Sequence, residues 1–243
     1  ELLTAKAKDV SQGALILNVV FQEDTLALYK DGDADAVLLS DTMAAQLAPE
    51  LSCTQLPFLY PSREAMLAAL GDTDGPVRDG ALGRSLEGEV LAVYYGGTVG
   101  LASRSNLYLD DVGLEGIGVL GVLEGMPGAE MFTRLGAREL DQSPALDQVK
   151  RFDAKELRAM EVPMGSQLLP SDVKYFYSTG HRVRTFWLLL RDGAELSSGG
   201  RGYLRQAVSY TIRSQNQARV SQEEAWLAGL METGIEVREQ NPK

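Results

Sequence analysis

Histidine and cysteine are almost absent: the 243-residue chain holds one of each, His181 and Cys53. A single cysteine excludes an internal disulfide, and the cysteine count leaves the cellular compartment open. The same scarcity argues against a zinc centre of the usual Cys/His kind, and Cys53 has no catalytic motif around it. A histidine-dependent nucleophile would have to rely on His181, and no G-x-S-x-G accompanies it. A phosphate-binding glycine loop is also missing. Positive charge is in deficit, with 23 Lys+Arg against 34 Asp+Glu and a net charge of -11. Such a surface repels phosphate backbones and anionic lipid, which disfavours nucleic acid and membrane surfaces as partners. No apolar run approaches the ~20 residues of a membrane helix. The opening ELLTAKAKDV lacks the basic head and apolar core of a signal peptide. Catalytic residues, metal ligands and cofactors are therefore not expected.

What is present suits a folded α/β protein. Apolar residues make up 44% of the chain, enough for a core, and charged residues 23%, too few for global disorder. Residues 1–9 read as a helix end. ALILNVVF over 14–21 reads as a buried strand, because its apolar run is continuous and rich in β-branched residues. A short helix over 24–29 and a second buried strand over 34–40 follow, then a helix with Asp41 as its N-cap. Ser62 starts a helix to about Leu70. A weak helix is expected over 76–86, where Gly80 and Gly83 interrupt it. EVLAVYY over 89–95 is a strand ending at Gly96-Gly97, and residues 99–103 continue the extended chain. Further strands are expected over 117–123, 160–164, 174–177 and 182–190, with helices from Pro127 to Gly136 and over 146–157. Ser221-Gln222-Glu223-Glu224 reads as a capping box that opens the last helix, with Gly234 as its stop. Strands and helices alternate, which predicts mostly parallel sheets flanked by helices.

The order of these segments resembles the periplasmic solute-binding subunits of TRAP transporters, the DctP-like family. Gly32-Asp33-Ala34-Asp35 followed by a strand ending at Ser40 fits the family pattern. So do Pro49-Glu50-Leu51 and Leu56-Pro57-Phe58-Leu59-Tyr60, Tyr94-Tyr95-Gly96-Gly97, and Leu101-Ala102-Ser103. Leu114-Glu115-Gly116, Phe132-Thr133-Arg134-Leu135-Gly136-Ala137, Glu161-Val162-Pro163 and Thr179-Gly180-His181 complete the series. The resemblance covers almost the whole chain, and order and spacing carry it rather than any one motif. It implies a type II, two-lobed periplasmic-binding-protein-like fold with mixed, mostly parallel sheets. Residues 1–94 would start the first lobe, 95–184 would form the second, and 185–243 would return to the first with the C-terminal helices. Leu56 to Tyr60 would pack at the edge of the first lobe, near the cleft.

Several positions depart from the family pattern. The family's first strand and last helix are missing, as is a loop with a Q-L-G motif between Phe21 and Asp24, so the chain reads as truncated at both ends. Two family arginines are lost as well. One corresponds to Val99, and the other, which grips a substrate carboxylate, corresponds to Leu120. A dry carboxylate needs a fork of donors that leucine does not have.

The resemblance implies ligand contacts at Tyr94, Tyr95, Glu161, Pro163, Met164, Arg184 and Phe186. For the two tyrosines the alternative is packing. For Glu161 the alternative is a solvated surface carboxylate. By strand alternation Arg182, Arg184 and Phe186 share one face, with His181 and Trp187 on the other. Either arginine could replace the lost fork, and exposure on an edge strand is the alternative. The implied function is capture of a small organic solute by hinge closure, in the periplasm after signal-peptide removal. Membrane subunits of a TRAP transporter would be the partners, with no membrane insertion of this chain itself. A degenerate relative acting as a sensor or scaffold is the second reading, and an α/β enzyme the least supported.

Overall fold

The computed structural model describes residues 1–22, 24–70, 85–107, 114 and 116–239. Most of the helix expected over 76–86 lies outside them. The chain forms two compact units: Glu1–Leu51, Glu64–Gly96 and Thr185–Arg219 make the first, and Ser52–Arg63, Gly97–Arg184 and Val220–Lys243 the second. Residues 52–63 and 220–243 thus belong to the second unit, whereas the sequence reading kept them with the first.

The first unit contains α1 (Leu2–Val10), α2 (Thr25–Asp31), β1 (Ala36–Ser40), α3 (Asp41–Leu47) and most of α4 (Arg63–Leu70). It also takes the beginning of β2 (Gly88–Ser103), the end of β6 (Tyr175–Arg191) and the first part of the 35-residue helix α7 (Ser198–Glu232). Strand β1 pairs antiparallel with β6, from Ala36 opposite Leu190 to Ser40 opposite Phe186. Ala7, Leu15, Leu91, Leu188, Leu190, Leu204 and Val208 pack together beneath it. Helix α2 starts where Asp24 accepts from the Ala27 amide, as an N-cap should. Helix α3 starts one residue earlier than expected. Its N-cap is Ser40, whose hydroxyl accepts from the Met43 amide, and the Asp41 carboxylate accepts from the Thr185 amide at 3.3 Å instead.

The strand expected over 14–21 does not form. Leu15 is buried, but Ile16, Val19, Val20 and Phe21 are exposed, Phe21 to 94%. Among the described residues, the amides of 16–22 make no backbone hydrogen bond. An apolar run tells of burial only when the fold places a partner beside it, and among the described residues no strand pairs with this one.

The second unit takes the remainder of β2, β6 and α7. It adds β3 (Val119–Gly121), α5 (Glu130–Arg134), β4 (Glu139–Asp141), α6 (Ala145–Asp153), β5 (Ala159–Pro163) and β7 (Glu236–Glu239). Its strand order is β6-β2-β5-β3-β4, with β7 against β6. Strands β3, β4 and β5 run parallel, as do β6 and β7, while β2 and β5 are antiparallel, so the sheet is mixed. Strand β2 does not stop at Gly96-Gly97. It continues to Ser103, with Gly97 at φ +105 where the chain leaves the first unit.

The expected capping box at Ser221 lies inside α7, which runs unbroken past it. The Glu223 carboxylate accepts from the Thr98 amide at 2.6 Å. Within the first unit, Asn216 and Arg219 on the same helix bond the backbone of Tyr95 and Gly96. Side chains of α7 thus occupy backbone groups of β2 that a neighbouring strand would otherwise take. No described helix is long and apolar enough to cross a membrane.

Close approach of strands explains one glycine. A Cβ on Gly100 would lie 2.5 Å from the Tyr177 carbonyl oxygen and 2.5 Å from the Phe176 ring. The carbonyl belongs to the sheet and cannot swing aside. Gly100→Ala is therefore expected to destabilise the protein by about 1–3 kcal/mol, read as a lower midpoint in urea denaturation. An unchanged midpoint would show that the two strands are not this close.

Candidate functional site

At the middle of the second unit three ionisable side chains meet. Strand β5 places Glu161 and strand β6 places His181 and Arg182, and the side chains of all three are sealed from solvent. Glu161 Oε1 accepts from Arg182 Nε at 2.8 Å and lies 2.8 Å from His181 Nε2. Its Oε2 accepts from the Leu123 amide, in the loop after β3, at 2.7 Å. Both carboxylate oxygens are therefore engaged, which removes the solvated-surface alternative for Glu161. Burial on its own would favour the neutral acid. The hydrogen bond and charge of the imidazole, the guanidinium and the Leu123 amide outweigh it and hold Glu161 below the usual carboxylate range.

Arg182 is anchored on three sides. Besides Glu161, its Nη1 donates to the carbonyls of Gln55 at 3.0 Å and Pro127 at 2.8 Å. Its Nη2 is buried without a hydrogen-bond partner. His181 Nδ1 is hydrogen-bonded to the Thr179 hydroxyl. Phe132 of α5 packs edge-on against the imidazole at 5.3 Å and lies 5.9 Å from the guanidinium carbon. His181 is thus a fully partnered interior residue.

The apolar stretch Leu56 to Tyr60 covers this cluster within the second unit, not at an edge of the first. Its Phe58 amide donates to the His181 carbonyl at 2.6 Å, and the two rings lie 5.8 Å apart. Phe58 takes φ +61, an uncommon conformation for a bulky residue. Pro57 and Leu56 press on Gly128, where a Cβ would come within 2.8 Å of Pro57 Cδ. The prolines stiffen this plug, as their fixed φ predicts, and Phe58 remains 37% exposed.

The remaining candidates are distributed over both units. Tyr94, Tyr95 and Phe186 lie in the first unit. Tyr94 packs on its core, and burial pushes its hydroxyl up to about 12. Tyr95 is buried and Phe186 half-buried. Pro163 and Met164 lie in the second unit; Pro163 is half-buried, whereas Met164 packs in the core and its sulfur accepts from the Thr98 hydroxyl at 3.1 Å. Leu120, where a carboxylate-gripping arginine was expected to be missing, is a fully buried core residue.

Arg184 differs from Arg182 in the decisive respect. It is half-buried and, among the described residues, has neither a hydrogen bond nor an ion pair. Two residues beyond Arg182 on an unbroken strand, it falls on the same face, with the backbones roughly 6.5–7 Å apart. The two arginines that the sequence leaves as alternatives are thereby separated: Arg182 is held by Glu161, and Arg184 is unpaired. Sequence reasoning named Glu161, His181 and Arg182 singly and missed their pairing, along with the parts played by Phe132 and the Leu123 amide.

No family model matches the chain, and no curated protein matches its sequence. Solved structures do match. A TRAP periplasmic solute-binding protein from Ochrobactrum anthropi superposes with a TM-score of 0.81 at 18% identity, covering 99% of this chain and 78% of that one. One from Sulfitobacter sp. NAS-14.1, solved with β-D-galacturonate, gives 0.74 at 17% identity and covers 98% and 82%. One from Pseudomonas aeruginosa, solved with L-malate, gives 0.73 at 17% identity and covers 98% and 85%. The chain therefore has the fold of the TRAP periplasmic solute-binding proteins.

Proposed function

We propose that this chain is the periplasmic solute-binding component of a TRAP-type transporter, taking up a small organic acid and passing it to membrane subunits. It acts as a binding protein, not an enzyme. The observation that carries the reading is Arg184. Arg184 is half-buried and, among the described residues, has neither a hydrogen bond nor an ion pair, which leaves its guanidinium fork free to take a carboxylate in two parallel hydrogen bonds. Proteins of the same fold are solved with galacturonate and L-malate, both carboxylic acids. Pro163, half-buried in the same unit, is proposed as part of its apolar surroundings.

Thermal-shift screening against organic acids, amino acids and polyols tests this. Acids should raise the melting temperature, with neutral polyols inert. Arg184→Ala should weaken the best acid by about 2–5 kcal/mol, measured by titration calorimetry, because a desolvated carboxylate then lacks its counter-charge. Absence of stabilisation by any acid would favour the sensor or scaffold reading.

A further inference from the structure

We infer that residues 14–22 of the first unit pair, edge to edge and antiparallel, with the same residues of a second copy of this chain. Nothing in this depends on Arg184. Among the described residues the amides of 16–22 make no backbone hydrogen bond, and the carbonyls of 15–21 accept none. Water satisfies such groups one at a time; a second extended chain satisfies them as a row. Ile16, Val19, Val20 and Phe21 are exposed to 78%, 56%, 62% and 94%. Sheet edges that stay single carry charges, prolines or bulges that turn a neighbour away. Strand β1, at one end of its sheet, follows Asp33 and Asp35. Residues 14–22 have neither a charge nor a proline.

Charge and composition single out a second copy as the occupant. At a net charge of -11 two copies repel each other, and the uncharged run from Ser11 to Gln22 gives them a place to approach. The chemistry that fits there is an uncharged, β-branched run with an unpaired edge of its own. Residues 14–22 are such a run, so two copies complement each other about a twofold axis, and the pairing closes at two chains. Full overlap puts Asn18 opposite Asn18, Ile16 opposite Val20 and Leu15 opposite Phe21. The Asn18 side chain both donates and accepts, so a pair of them on the axis is satisfied. Leu15 and Leu17 pack on the core of their own copy, and Ile16, Asn18 and Val20 alternate outward from it. Phe21, almost wholly exposed in one copy, meets the edge of a packed core in the other, at Leu15. Cover of the exposed apolar side chains in both copies hides on the order of 1,000 Å², the lower bound for a specific interface, so the dimer is reversible.

Sedimentation velocity on the whole chain tests this, over roughly 1 to 300 μM at neutral pH. The mass should rise from one chain to two across that range, with no larger species. Ile16→Glu sets a carboxylate opposite Val20 and should weaken the dimer about tenfold or more. Its urea midpoint should match that of the unmodified chain, because Ile16 is exposed in the single copy. Cross-linking reads the register. In a Cys53→Ser background, Asn18→Cys should oxidise to a linked dimer, since opposed Cα atoms of an antiparallel pair lie about 4.5–5.5 Å apart, within disulfide reach. Ala14→Cys in the same background should not, because Gln22 is its counterpart. A single-chain mass over the whole range overturns the inference, and that measurement needs no variant. So does a dimer that Ile16→Glu leaves intact, growth beyond two chains, or linking through Ala14→Cys as fast as through Asn18→Cys. Loss of acid binding in Arg184→Ala leaves the dimer untouched, so the two readings fail separately.

Discussion

Glu161→Ala is expected to lose about 3–5 kcal/mol of folding stability at pH 7, measured by urea denaturation. The substitution removes the one carboxylate that Arg182 pairs with and leaves a guanidinium sealed from solvent without a counter-charge. It also takes the acceptor from the Leu123 amide and from His181. Glu161→Met combined with Arg182→Met should lose less than Glu161→Ala alone, since no charge is then stranded, although the Gln55 and Pro127 carbonyls lose their donor. A loss below about 1 kcal/mol for the single variant would mean that the cluster is open to water. The pH dependence follows from the same group. Glu161 is held below the usual carboxylate range in the folded state, so the unfolded chain takes up its proton first as the pH falls. Its stabilising contribution is complete above the unfolded value of about 4.3 and is lost as the pH drops through the lowered folded value. In Glu161→Gln that acid-side loss should be smaller.

Phe132→Ala should cost a comparable amount, about 3–5 kcal/mol, by a different route. Phe132 is buried in the core of the second unit with Leu120, Val122, Ala129 and Tyr177, and its ring also meets His181 and Arg182. Truncation empties a ring-sized volume next to three ionisable groups. Water entering that space would hydrate the ion pair, so the pH dependence attributed to Glu161 should shrink in Phe132→Ala even after the stability loss is allowed for. A variant that loses stability but keeps the full acid dependence would show that the ring and the ion pair are independent.

Much of the fold is legible in local pattern. The short helix after Asp24, the strand ending at Ser40 and the extended run at Glu161 follow from turn residues and apolar spacing, and the structure has them within a residue or two. Failures occur where a local rule met a longer-range partner. Ser221 to Glu224 has the letters of a helix start, yet the helix passes through, and Glu223 bonds Thr98, more than a hundred residues away, instead of capping a new helix. The apolar run at Ala14 looks buried by composition, and whether it is depends on a neighbouring strand that periodicity does not report. The site divides in the same way. Arg184 and Arg182 are equivalent by strand alternation. The difference between them comes from Glu161, 21 residues earlier, which lies within hydrogen-bonding reach of one and not of the other. The lone histidine beside an arginine on a strand was the available hint, since two donors side by side in an interior require an acceptor.

Between Ser11 and Gln22 there is no charged residue, in a molecule that otherwise carries a net charge of -11. Phe21 and its neighbours are exposed there, and among the described residues their amides make no backbone hydrogen bond. Colloidal behaviour then depends on ionic strength: the acidic surface holds copies apart in dilute buffer, and salt shortens the reach of that repulsion to a few ångströms. Crowded, salty solutions will bring these sticky ribbons together, so concentrated stocks of this chain keep best in low-salt buffer.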